Sequence, residues 1–132
     1  MNAPSTPTSV PTIAIIDDDE SVRRATANLV KSLGFHAIAF ASGEEFLRSP
    51  RFDDVSCIIS DMQMPGMNGL ELQQNLARAA PERPLIFITA FVDEPLRKQA
   101  MEAGAIGFLG KPFEAQRLIE CITWALGTAG RS

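Results

Sequence analysis

Two stretches, Ile13-Ala14-Ile15-Ile16-Asp17-Asp18-Asp19 and Cys57-Ile58-Ile59-Ser60-Asp61, share one pattern: a short apolar run that stops abruptly in carboxylates. Neither run alternates polar with apolar residues, so neither leaves a face for water, and Ile13–Ile16 and Cys57–Ser60 are predicted as strands buried on both sides. Leu85–Thr89 and Gly107–Gly110 repeat the continuous apolar run, without the carboxylates. His36–Phe40 is a weaker fifth strand, following Gly34, which suits a helix terminus.

Between the runs the spacing changes to three and four. Val22, Ala25, Leu29, Val30 and Leu33 line one face of a first helix, and Leu70, Leu76, Ala77 and Ala80 mark a third. Leu96, Ala100 and Ala103 form the stripe of a fourth, opened by Asp93 as N-cap and closed at Gly104. A short second helix is predicted over Ser42–Leu47 and a fifth over Glu114–Leu126. The order βαβαβαβαβα requires right-handed crossovers, which give a parallel sheet covered on both faces. Five such strands fit a doubly wound sheet whose ligand crevice lies at the carboxyl ends of strands 1 and 3.

Those ends carry Asp17, Asp18, Asp19 and Asp61. Taken singly, each aspartate is equally well explained as a turn former or helix cap, and Asp19, three residues ahead of Val22, is read as a cap. Together Asp17, Asp18 and Asp61 would share one pocket. At ~4 Å and an effective dielectric of ~20, each carboxylate pair repels by roughly 4 kcal/mol, so a cation, a basic group or protonation must relieve it. Hard oxygen ligands suit Mg²⁺, which keeps several waters and binds through one or two carboxylates and a phosphate oxygen. Strand 4 ends in Thr89-Ala90, a hydroxyl beside a small residue. Strand 5 is followed by Lys111-Pro112, where a cis bond would aim the Lys111 ammonium inward.

Composition is consistent with one ordinary domain. The chain has 132 residues, 45% hydrophobic, with eight Phe, one Trp and no Tyr. A formal charge of −4 argues against nucleic-acid binding by this chain, since no basic surplus is available to displace counterions from phosphates. Cys57 and Cys121 lie far apart in apolar runs and are read as buried small hydrophobes; with His36 the single histidine, no zinc site is expected. No run is long enough to span a membrane. Residues 1–12, with Pro4, Pro7 and Pro11 among Ser and Thr, are expected to be a disordered tail and not a signal peptide, and the expected compartment is the cytoplasm. The domain is placed at residues 13–126, with 127–132 as a tail or the start of a linker.

Ile15-Ile16-Asp17-Asp18-Asp19-Glu20, the run from Ser60 through Asp61-Met62-Gln63-Met64-Pro65-Gly66-Met67-Asn68-Gly69, the pair Thr89-Ala90 and Gly110-Lys111-Pro112-Phe113 resemble the signature of response-regulator receiver domains of two-component signalling. The match covers residues 13–126 in order and spacing, and in detail is similar to receivers of nitrogen-fixation-type transcriptional regulators. The resemblance implies a flavodoxin-like fold with strand order 2-1-3-4-5 and helices on both faces. It also implies a role for each matched residue. Asp61 is the phosphoacceptor, and Asp17, Asp18 and Asp61, with the Gln63 main-chain carbonyl, hold Mg²⁺. Lys111 pairs with a phosphoryl oxygen. Thr89 bonds the phosphoryl group and shifts with it, and Phe108 follows as a rotameric switch. The implied partners are a histidine kinase or phosphotransfer protein, and a homodimer or output partner meeting the helix 4–strand 5–helix 5 surface. Such a protein is a signalling switch that catalyses only its own phosphorylation and dephosphorylation.

Two residues depart from many relatives. Phe108 stands where a Tyr is common, and Phe91, two after Thr89, is bulky and apolar where others are polar or small. Phe91 would either shield the phosphoryl group from an in-line water or swing outward into solvent. Trp124 lies about 120° around the fifth helix from Leu118, off the arc of Leu118, Ile119, Ile122, Ala125 and Leu126. It is expected either to fold back over the core edge or to anchor a partner. Two other classes fit poorly. A dehalogenase-type phosphatase needs an Asp two after its nucleophile, where Gln63 stands. A flavodoxin needs a Ser/Thr/Gly phosphate loop where Asp17-Asp18-Asp19 would repel the ligand. A complete single-domain regulator and the receiver of a longer protein both remain open readings.

Overall fold

The computed structural model describes residues 10–129; most of the expected N-terminal tail, residues 1–9, lies outside the described residues, as do residues 130–132. The elements run β1 (Thr12–Ile16), α1 (Glu20–Ser32), β2 (His36–Phe40), α2 (Gly43–Leu47), a 3₁₀ turn (Phe52–Asp54), β3 (Cys57–Asp61), α3 (Gly69–Ala79), β4 (Leu85–Thr89), α4 (Glu94–Glu102), β5 (Gly107–Gly110) and α5 (Ala115–Ala129). The strands form one parallel sheet in the order β2-β1-β3-β4-β5. The winding thus reverses between β1 and β3, as expected. Ile16 pairs with Ser60, Asp61 with Ile88 and Thr89 with Gly110, so the strands end level with one another and deliver their next residues to one edge.

Alternation along the buried strands divides the core. Ile13, Ile15, Ile59, Ile86 and Ile88 face Val30, Leu118 and Ile122 on one side. Ala14, Ile16, Ile58 and Phe87 face Phe46, Met62 and Leu72 on the other. Caps set the helix starts. Asp19 Oδ1 accepts from the Ser21 and Val22 N–H groups, and Asp93 Oδ1 from Leu96 N–H. Asn68 and Glu71 exchange bonds in a capping box at the head of α3, which the sequence reading did not use. Gly34 and Gly104 close α1 and α4 at φ +94° and +112°.

Several expectations need correction. β5 is an edge strand with Phe108 and Gly110 partly exposed, so only β1, β3 and β4 are buried throughout. In α3 the buried arc is Gly69, Leu72, Gln73 and Leu76; Ala77 is exposed because the helix is rotated from the expected stripe. Ala25 and Ala103 are exposed as well. β1 takes in Thr12, and α5 extends three residues past Leu126. Cys57 is buried and its thiol is pushed up to about 12, by burial first. Cys121 is only half-buried, on the flank of α5.

Candidate acidic site at the carboxyl edge of the sheet

β1 and β3 are adjacent and end level, so the residues that follow them meet. Carboxylate oxygens of Asp17, Asp18 and Asp61 all lie within 4.8 Å of one another. Asp17 is fully buried, Asp61 nearly so, and Asp18 is exposed at the mouth. From the far side of β4, Lys111 reaches in: its Nζ stands 2.9 Å from Asp17 Oδ2 and 3.3 Å from Asp61 Oδ2. The Lys111 N–H donates to Thr89 O at 2.7 Å, and the Lys111–Pro112 bond is cis. Thus the expected four residues are brought together.

The charges are unbalanced. Three clustered carboxylates face one ammonium, which contacts two of them, and burial followed by the Asp17 charge lifts the Asp61 carboxyl above the usual range, against the pull of Lys111 and the Gln63 N–H. Burial works against the Lys111 ammonium too, but Asp17 and then Asp61 outweigh it and hold Lys111 above the ordinary lysine range. Asp17 Oδ1 accepts from Asp19 N–H, whereas Asp17 Oδ2 is buried and receives no hydrogen bond of good geometry despite its nearby ammonium. A buried carboxylate with an under-satisfied oxygen, clustered with two further carboxylates, fits a hard divalent cation. Asp61 Oδ1 accepts from Gln63 N–H at 3.3 Å.

Thr89 is buried, and its hydroxyl is turned into the following loop, donating to Phe91 O at 3.1 Å and accepting from Phe91 N–H. The Phe91 ring is 71% exposed, so of the two arrangements expected for it the structure has the outward one. Phe108 is half-buried and meets Phe87 edge-on at 6.3 Å. Trp124 is 58% exposed and borders a cleft of about 630 Å³ with Met101, Ile106 and Cys121; it does not fold back over the core.

Two contributors escaped the sequence reading. Arg23 Nη1 donates to Asp17 O at 2.8 Å, closing the end of β1; its place one helical turn after Asp19 is a local signal that points there. An apolar cleft of about 460 Å³ opens beside Lys111, between Val22 and Leu29 of α1 and Pro112 and Phe113 after β5. It joins segments some ninety residues apart, so no local pattern announces it.

The response regulator receiver domain model matches residues 13–123. Nodulation protein W of Bradyrhizobium diazoefficiens is 41% identical over 113 residues, covering 86% of this chain and 50% of that protein. The transcriptional regulatory protein FixJ of the same organism is 36% identical over 117 residues, covering 89% of this chain and 57% of that one. The solved structure of response regulator StyR superposes with a TM-score of 0.84 at 43% identity, over 92% of this chain and 62% of that chain. The chain thus spans about half the length of these curated relatives. With the family model covering nearly the whole described domain, and strands, order and acidic edge in agreement, the chain belongs to the response regulator receiver domain family.

Proposed function

We propose that the chain is a phosphoryl-accepting switch, with Asp61 as the acceptor. The observation that carries this is the cluster of Asp17, Asp18 and Asp61 oxygens within 4.8 Å, with Lys111 Nζ against two of them. An Asp61 carboxylate oxygen attacks phosphorus, the bond from phosphorus to the donor breaks, and the leaving group departs with the electron pair; the product is an acyl phosphate. Mg²⁺, held by Asp17, Asp18, Asp61 and the Gln63 main-chain carbonyl, supplies charge neutralisation on the phosphoryl oxygens when bound. Lys111 takes a further phosphoryl oxygen. Positioning and charge do most of the work, as phosphoryl transfer requires.

The donor is a histidine kinase, a phosphotransfer protein or a small acyl phosphate, which implies a cytoplasmic location. The apolar cleft beside Lys111 supports a macromolecular donor, because it offers dry surface next to the acceptor. The receiver is assigned to residues 13–126, to which Thr12 of β1 and the last turn of α5 add at either end. Switching begins at Thr89: bonding the phosphoryl group takes its hydroxyl from Phe91 O and frees the loop leading into α4. Phe108, on the neighbouring strand, then changes its packing, and the α4–β5–α5 surface carries the change to a second copy or an output partner.

Acetyl phosphate with Mg²⁺ is expected to add one phosphoryl group, seen by intact mass and mapped to Asp61, and chelation should prevent it. Mg²⁺ alone should stabilise the fold, by about 2.7 kcal/mol at a hundredfold excess over Kd, since unfolding parts Asp61 from Asp17 and Asp18. A melting temperature indifferent to Mg²⁺ would remove the metal from the reading. On the output surface, Trp124→Ala should weaken phosphorylation-dependent self-association or partner capture by about 2 kcal/mol, as expected of an exposed aromatic anchor. Sedimentation of the phosphorylated proteins, wild type against variant, measures it. Equal association by both would leave Trp124 without that role.

A further inference from the structure

We propose that Glu44 is a positioning residue for the acidic site, latching the loop that follows Asp61. This rests on the reading of that site as a metal-dependent phosphoacceptor. The loop of residues 62–68 leaves β3 at the acceptor and carries Gln63. Its start is tied by Met62 N–H to Ile88 O at 2.9 Å, and its end by Gly69 N–H to Met62 O at 2.8 Å. Met62 and Met64 are buried. Pro65 and Gly66 are exposed, and Gly66 has φ +76°, so the apex has little packing of its own. The Glu44 carboxylate holds it there: Oε2 accepts from Met67 N–H at 3.1 Å, across 23 residues of sequence. Apart from the Asp61 bond to Gln63 N–H, it is the only side chain among the described residues to hydrogen-bond the main chain of residues 63–67.

Glu44 is itself rigidly placed. Ser42 caps α2 by accepting from Glu45 N–H, Glu45 Oε1 accepts from Ala41 N–H at 2.7 Å, and fully buried Phe46 anchors the helix in the core. Gly43 permits close approach, since a Cβ there would stand 3.1 Å from Met67 Sδ. Without the latch the loop would sample conformers in which Gln63 is misplaced, and the apparent Kd for the cation rises as the inverse of the competent fraction. A carboxylate in the first turn of α2 also suits the helix dipole, and that purely structural role predicts no such change.

Calorimetric titration of Mg²⁺ into wild type, Glu44→Ala and Glu44→Gln separates the two. Gln keeps an oxygen acceptor, so its Kd should stay within about twofold of wild type, whereas Ala should weaken binding about tenfold if the competent fraction falls to about a tenth. Hydrogen exchange at Met67 N–H should accelerate in the Ala variant and not in the Gln variant. Glu44→Leu, which keeps bulk without an acceptor, should reproduce Ala and serves where Ala fails to fold. Unchanged Kd in both Ala and Leu variants overturns the latch and leaves the phosphoacceptor reading standing. Equal weakening in Gln and Ala overturns it as well, because charge would then matter and not the bond. Absence of Mg²⁺ binding in wild type overturns the underlying reading and the latch with it.

Discussion

Asp61→Asn is expected to take up no phosphoryl group from acetyl phosphate while melting above the wild type in metal-free buffer. The first effect is chemical: an amide oxygen lacks the charge and lone-pair basicity to displace a leaving group from phosphorus, so the covalent product is lost altogether. The second follows from electrostatics. Asp61 is buried beside Asp17, and burial and then that neighbouring charge lift its pKa, which means folding costs energy while it is ionised. Asn removes the charge and keeps the shape, and Lys111 retains Asp17 at 2.9 Å. A gain of about 1 kcal/mol, or roughly 4 °C in Tm, is the expected scale. Mg²⁺ should then stabilise the variant less than it stabilises wild type, because one of three clustered carboxylates is gone. Phosphate found on the Asn variant by intact mass would remove Asp61 as acceptor; an Asn variant less stable than wild type would show that Lys111 more than balances the cluster.

That opposition of terms is legible in the sequence, where Asp17, Asp18 and Asp61 sharing a pocket require a cation, a basic group or protonation. The apolar runs ending at Ile16 and Ser60 marked two strands, and the 2-1-3-4-5 order implied by the family resemblance set them side by side, which brings Asp17 and Asp61 together. Lys111 could be assigned because it directly follows a short apolar strand whose end faces the carboxylates, within a Gly110-Lys111-Pro112-Phe113 run that resembles the family's; its Nζ stands 3.3 Å from Asp61 Oδ2. Helix faces were harder. The α3 stripe was misread because Gln73, a polar residue, is buried to donate to Ala100 O at 3.0 Å, a tertiary bond that hydrophobic spacing cannot register. Glu44 and the cleft beside Lys111 are likewise products of long-range contact. The direction of the Thr89 hydroxyl depends on a loop conformation, and an outward Phe91 was one of two arrangements that residue type allowed.

Lys111→Met should be the most destabilising change at the site in the absence of metal, by about 3 kcal/mol or roughly 10 °C in Tm. Met preserves length and bulk but leaves fully buried Asp17 and nearly buried Asp61 facing each other with no ammonium between their carboxylates. The sign of the pH dependence follows. In wild type Asp61 already titrates above the usual carboxylate range, so its native form binds more protons than its unfolded form between those two values. Stability contributed at that carboxyl therefore falls as pH rises through the window and returns on acidification. Without Lys111 the lowering pull on Asp61 is gone, the window widens upward, and the variant should gain stability as the buffer is made mildly acidic. Mg²⁺ should recover more stability in the Met variant than in wild type, because it meets the same uncompensated oxygens. A double-mutant cycle isolates the interaction: in an Asp61→Asn background only Asp17 is left for Lys111 to neutralise, so the same substitution should cost about 1–2 kcal/mol less. Equal costs in both backgrounds, measured by urea unfolding in metal-free buffer, would mean that Lys111 and Asp61 are neighbours without being coupled.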